Sequence, residues 1–174
     1  MRQRSKFLIL AAIFMVSGAI PAHAWDEVGH KITGYIAWQR MSPQARENVI
    51  RLLRTAPEDS TLAVYYQPYG AESEDARKLK YFMLVPTWAD IVNDFGAEPA
   101  FRNEVRNRKY YRGNWHYDDT FWKQVNGTVE LLSGFPEGGV GVTKLKEFDA
   151  LLRDGSAKSP DKAIAIAWLM HIGG

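Results

Sequence analysis

Cysteine is absent from the 174-residue chain. That excludes a disulfide framework, a thiolate metal site and a cysteine nucleophile. Histidine is scarce, with only four in the chain. No H-E-x-x-H helix, no phosphate-binding P-loop and no G-x-S-x-G elbow occurs, so zincin, P-loop and serine-hydrolase chemistry have no signature. Internal repeats, low-complexity tracts and linkers that would split the domain are also missing. Neither sign of charge dominates, with 22 basic and 20 acidic residues. The apolar run at residues 7–16 is about ten residues long, against roughly 20 needed to span a bilayer.

What is present is an ordinary globular balance. Apolar residues make up 46% and charged residues 24%, which argues against disorder and against a multi-span membrane protein. Aromatic residues reach 13%. The start of the chain is different in character. Arg2, Arg4 and Lys6 precede the apolar run, and Ala22-His23-Ala24 closes it. Basic, apolar, then A-x-A is the three-part export pattern. A membrane anchor is the competing reading, and the short run weakens it. Cleavage is expected between Ala24 and Trp25, so residues 1–24 are a signal peptide and the product is secreted or periplasmic, without a membrane span. The removed segment carries three basic residues, so the formal charge of +2 turns slightly negative. Charge alone therefore points to no nucleic-acid partner.

The remaining periodicity is helical, and the fold class expected is all-α. Val28, Ile32, Tyr35 and Ile36 form one apolar stripe. Ser42 followed by Pro43 is a helix start, with Val49, Ile50, Leu52 and Leu53 supplying the stripe behind it. Residues 73–84 read as a helix opening with Ser73, Glu74 and Asp75. Ala89 to Val92 continue or restart a helix after Pro86. Residues 93–114 read as loop with one short helix, and residues 120–132 as moderately helical. Asn126-Gly127-Thr128 fits a glycosylation sequon but reads as a turn. The glycines between Phe135 and Val142 mark a loop. Leu145, Phe148, Leu151 and Leu152 mark a further helix, and Ser159-Pro160-Asp161 opens the last. That helix is apolar on every side over residues 163–170, which predicts burial. It is either capped by Gly173 and Gly174 or broken off inside its run.

Three histidines remain after cleavage: His30, His116 and His171. Each taken singly is more often structural than functional. Cleavage at Ala24 frees the α-amino group of Trp25, which with its carbonyl oxygen can chelate a metal beside His30; simple packing of a large apolar residue is the plainer reading. Asp90, in Trp88-Ala89-Asp90, stands between apolar neighbours, and a buried carboxylate needs a metal or an arginine as partner. His116 lies in Asn114-Trp115-His116-Tyr117-Asp118-Asp119, which also reads as an ordinary loop. His171 ends the buried helix, where a cation is commonly found. Together these form a nitrogen and oxygen donor set suited to a catalytic zinc.

The four stretches, in this order after a signal peptide, resemble the trinuclear-zinc single-strand nucleases of the S-one and P-one type, which share their fold with the zinc phospholipases C. They are Trp25 to His30, Trp88-Ala89-Asp90, Trp115 to Asp119, and Ala167 to Gly174. The resemblance implies a mostly helical fold in which residues 25–174 are the N-terminal part of one nuclease domain, truncated within a central buried helix. It implies that Trp25 and His30 bind one zinc, that Asp90, His116 and His171 bind a second, and that a complete member holds three. An aspartate expected four positions after His171 lies beyond Gly174, which is why an inactive fragment stands among the alternatives. Tyr117 corresponds to an aromatic that stacks a nucleobase, and Asp119 to a carboxylate that bonds the base edge. The family often has a basic residue where this chain has Asn93; Arg102, Arg106, Arg108, Lys109 and Arg112 lie nearby, with a solvated surface as the plainer reading.

The implied activity is hydrolysis of phosphodiester bonds in single-stranded DNA or RNA by metal-activated water, with 3′-nucleotidase activity. Nucleotides are the other implied substrates, and no protein partner is implied. A zinc phospholipase C is one alternative. A noncatalytic exported binding domain, or an inactive fragment, is the other.

Overall fold

The computed structural model describes residues 27–68, 70–92, 103–133 and 139–173. The architecture is mostly α-helical: α1 (Glu27–Arg40), α2 (Pro43–Leu53), α3 (Glu74–Leu84), α4 (Trp88–Ile91), α5 (Glu104–Tyr110), α6 (Gly141–Arg153) and α7 (Ser159–Gly173). Three-residue 3-10 turns at Val85–Thr87 and Gly113–Trp115 lead into the segments that carry Asp90 and His116. The predicted signal segment, Trp25, Asn93 and Arg102 lie outside the described residues. No described helix is long and apolar enough to cross a membrane.

The helix starts follow from local chemistry. Ser42 and Ser73 hold extended backbone angles, and each hydroxyl accepts a bond from the N–H three residues on, Ala45 and Ala76. Each cap satisfies one of the N–H groups that a helix start leaves unpaired. Pro43 sits in the first turn of α2, where its missing N–H costs nothing.

α7 is the spine. It packs on α2, α4, α6 and the turn at Val85–Thr87, while α1 packs on α3 and that same turn. The core gathers Trp88, Trp168, Tyr81, Leu53, Leu62 and Val85, all with next to no exposure. The expected burial of α7 holds for Ala163, Ala165, Ile166, Ala167, Trp168 and His171. Burying an aliphatic or aromatic side chain of this size contributes about 1.5–3 kcal/mol, so this core is a substantial source of cohesion. The one indole nitrogen of Trp88 is not stranded: it donates to the Ser60 carbonyl at 2.8 Å.

The structure adds one finding to the sequence reading and corrects two expectations. The first concerns α1. Its apolar stripe is exposed, with Val28, Ile32 and Ile36 all more than half accessible. The buried residues are His30, Gly34 and Trp38, spaced four apart on another face. Gly34 decides this: a Cβ there would come within 3.3 Å of the Met83 Cα, so the bare backbone lets α1 lie close on α3. Periodicity located a stripe without showing which face meets a neighbour.

The second concerns residues 120–132, which form a hairpin and not a helix. Strand β1 (Trp122–Val125) pairs antiparallel with β2 (Thr128–Leu131). Asn126 and Gly127 both take positive φ, 50° and 82°. That is the two-residue turn for which Asn-Gly is the strongest short-range signal, and it outweighs the weak helical periodicity. The turn reading of Asn126 to Thr128 is thereby borne out.

The third concerns Asp90. Trp88, Ala89 and Val92 are buried, but the Asp90 side chain is 51% exposed. One turn of helix carries both, with the carboxylate on its open side.

Candidate metal centre

Four side chains from four distant segments converge. α1 contributes His30, α4 contributes Asp90, the residue after the Gly113–Trp115 turn is His116, and α7 contributes His171. Donor atoms of His30, Asp90 and His171 all lie within 4.8 Å of one another. His116 joins them through two contacts: its Nδ1 lies 2.7 Å from His171 Nε2 and 3.5 Å from Asp90 Oδ1.

The Asp90 carboxylate divides between two groups. Its Oδ2 is 3.7 Å from His30 Nε2. Its Oδ1 serves His116 and, at 3.9 Å, His171 Nε2. His30 and His171 stack with ring centroids 4.4 Å apart, and the His116 ring stands nearly perpendicular to His171 at 4.6 Å. The histidine side chains are 5–18% exposed, against 51% for Asp90. The centre therefore has a closed imidazole floor and an open carboxylate edge.

The His171 ring is held from behind. His171 Nδ1 lies 2.8 Å from the Pro86 carbonyl oxygen, an acceptor only, so this nitrogen carries the proton and Nε2 is left as a lone pair facing the cluster. A carbonyl behind a histidine is the usual way a ligand ring is oriented. Trp168, one turn before His171, presents edges to both rings, at 5.1 Å from His116 and 5.8 Å from His171. Behind it stand Trp88 and Trp115.

The segment of His116 is pinned by backbone. Val140 N–H donates to the Asn114 carbonyl at 2.7 Å, and Gly141 N–H to the Tyr117 carbonyl at 2.9 Å. A Cβ at Gly139 would overlap the Tyr117 and Asn114 carbonyl oxygens. The glycines read as loop punctuation thus have a second use, which is close approach of two backbones. The Pro86 carbonyl and Trp168 carried no signal that sequence reasoning could isolate.

Burial pushes both His116 and His171 below the ordinary value of 6.5, against the opposing pull of Asp90 on each and of the Pro86 carbonyl on His171. Both rings are therefore neutral at neutral pH, with lone pairs available. A 2.7 Å contact between two neutral imidazoles is met either by a proton on one of the facing nitrogens or by a cation held by both. With a carboxylate oxygen within 4 Å of both, the donor set fits a divalent cation of the zinc type.

Tyr117 and Asp119 follow His116 directly and are exposed, with Tyr117 at 48%. Of the nearby cations, Lys109 pairs with Asp59, and Arg112 donates to the Arg108 and Tyr111 carbonyls while lying over Trp115. Both are engaged within the fold.

A family model described as S1/P1 nuclease matches residues 25–174. No curated protein and no solved structure matches the chain.

Proposed function

Because the chain belongs to the S1/P1 nuclease family, we propose that it is a zinc-dependent phosphodiesterase that cleaves single-stranded DNA and RNA and removes 3′-phosphates from nucleotides. The family is one of nucleases; zinc, strand preference and the nucleotidase activity are our reading. One observation carries it: His30, Asp90, His116 and His171, spread over the whole described chain, meet in a single cluster.

In this proposal His30, Asp90, His116 and His171 hold the metal. The α-amino and carbonyl groups of Trp25 join His30 once export has removed residues 1–24. The division of the Asp90 carboxylate, Oδ2 toward His30 and Oδ1 toward the other pair, supports two adjacent ions out of three in a complete centre. Bound zinc supplies Lewis acidity, which lowers the pKa of water toward 7 and offsets phosphate charge. The residues do the rest. The Pro86 carbonyl keeps the His171 lone pair turned inward. Buried imidazoles exclude bulk water from one side, and the exposed edge of Asp90 leaves the other open to a phosphodiester. Tyr117 offers its ring to a base and Asp119 accepts a bond from the base edge. A stacking requirement selects single strands, whose bases are free to turn out. Export and processing rest on the basic, apolar and A-x-A pattern of residues 1–24.

The test compares substrates on the full chain supplied with zinc. The proposal expects single-stranded DNA to be cut, duplex DNA to be cut far more slowly, and a chelator to abolish both. Cleavage of phosphatidylcholine with none of DNA supports the phospholipase alternative instead. Binding of single strands without hydrolysis or zinc supports the noncatalytic one.

A further inference from the structure

We infer that Trp88 is a positioning residue for the metal centre: the hydrogen bond from its indole to the Ser60 carbonyl fixes the turn that carries Asp90. The inference rests on the metal-dependent reading above. Its starting point is the length of α4, four residues from Trp88 to Ile91. A single turn of helix does not hold its own shape. Its seat is set by what it is tied to.

Burial presses this turn into the core, where Val85, Trp88, Ala89 and Val92 have next to no exposure. Apolar burial is non-directional, so it does not by itself fix how the turn is rotated. A hydrogen bond is directional, and Trp88 supplies one. Its Nε1–H donates to the Ser60 carbonyl at 2.8 Å, 28 positions away. The Trp88 carbonyl accepts the Val92 N–H at 2.8 Å, which closes the turn around Asp90. At about 100° per residue, Asp90 projects on the opposite side of the turn from the indole. The burial agrees: Trp88 is 0% exposed and the Asp90 side chain 51%. Rotating the buried indole therefore swings the carboxylate. Among the described residues that carboxylate meets only His30, His116 and His171, at 3.5–3.9 Å, so the turn beneath it sets its position.

The acceptor is itself held firmly. Thr61 has φ 61°, an outlier for a β-branched residue, and such a conformation persists only where its surroundings over-determine it. The Thr61 N–H donates to the Glu58 carbonyl at 3.0 Å. The Thr61 hydroxyl donates to the Ser60 carbonyl at 2.6 Å, so that oxygen takes one donor for each lone pair. Ser60 is fully buried, and its hydroxyl donates to the Pro57 carbonyl at 2.6 Å. Asp59, beside it, accepts from Tyr110 at 2.6 Å, and the Tyr110 ring stands edge-on to Trp88. From the indole, contacts lead on to the ligands. The Trp88 ring meets Trp168, whose ring centroid is 5.1 Å from that of His116. Pro86, two residues before Trp88, carries the carbonyl that orients His171. One anchored segment thus supplies one metal ligand and the support of another.

The test uses the full chain. It reads zinc affinity by competition with a chromogenic chelator, beside melting of the metal-free protein. Trp88→Phe removes the N–H together with part of the ring. Replacing Trp88 by 3-benzothienylalanine puts sulfur in place of the N–H and keeps the shape, so it carries the test if Trp88→Phe does not fold. Leu53→Val thins the same core and keeps both partners of the bond. The inference expects zinc affinity to fall about tenfold when the N–H is lost. It expects parent-level affinity in Leu53→Val, although the melting temperature of that variant also drops. Parent-level affinity in the benzothienyl protein overturns the inference and leaves the metal reading standing. An equal loss of affinity in Leu53→Val also overturns it, because the effect is then one of stability alone. If the parent binds no zinc, the metal reading has failed and this one falls with it.

Discussion

His171 Nε2 and His116 Nδ1 face each other at 2.7 Å, although 55 positions separate them in the chain. The contact joins the last helix to the loop after the Gly113–Trp115 turn, and its geometry depends on what stands behind each ring. For His171 that is the Pro86 carbonyl; for His116 it is the backbone clamp made by residues 139–141.

Gly139→Ala should displace the His116 segment. The added methyl has no room beside the Tyr117 and Asn114 carbonyls, and overpacking of this kind costs about 1–3 kcal/mol. Because His116 rides on that backbone, zinc affinity should fall as well. Denaturant melts of the metal-free protein and a competitive chelator titration read the two effects separately. Unchanged affinity in a destabilised variant would show that the clamp does not position the ligand.

Trp168→Ala should cost about 3–5 kcal/mol, the usual range for a buried aromatic cut to alanine. The indole is 1% exposed and lies against the His116 and His171 rings and two further tryptophans. Trp168→Phe keeps an aromatic edge and should restore most of the stability and zinc affinity. Equal zinc affinity in all three proteins would reduce Trp168 to a packing residue.

Asp59 links α5 to the 3-10 turn at Glu58–Ser60. Hydrogen bonds from Lys109 and then Tyr110 hold its carboxyl below the ordinary 3.8; the Tyr110 bond measures 2.6 Å. A folded value below the unfolded one means stability that is fully present above 3.8 and lost as pH falls through the folded value. Asp59→Asn should therefore melt slightly below the parent at pH 7, by a small margin since the pair is half exposed. The margin should persist to about pH 4 and close at lower pH. Melting curves at three pH values check it; a margin that survives in strong acid contradicts the assignment.

Much of the fold was legible because its signals are local. Ser42 with Pro43 and Ser73 announce two helices through the bonds a helix start needs, and the all-apolar run around Ala163 announces a buried one. The hairpin was misread because periodicity over residues 120–132 was weighed above the Asn126-Gly127 turn. The stripe of α1 was legible but its partner was not, because the packing of this helix runs through Gly34, where contact depends on a side chain that is not there. In the site, the residues were named from a family resemblance. Residue spacing does not bring His30 to His171, and the half-open setting of Asp90 emerges only when α4 is seated on α7. The carbonyl of Pro86 is a backbone atom and leaves no mark in the composition. Trp25 falls outside the described residues, and its chelating role remains a proposal.

The central claim is that these four side chains hold the metal on which strand cleavage depends. The most direct measurement adds zinc stepwise to chelator-stripped protein, following bound metal and hydrolysis of single-stranded DNA together, for the parent and for Asp90→Asn. The account predicts that binding and hydrolysis rise together in the parent. In Asp90→Asn it predicts zinc affinity reduced by more than the 10–100-fold typical of losing an outer-sphere partner, with hydrolysis lost and the metal-free melting temperature nearly unchanged. Zinc binding and cleavage in Asp90→Asn equal to the parent, or cleavage that proceeds after the metal is stripped, would contradict it.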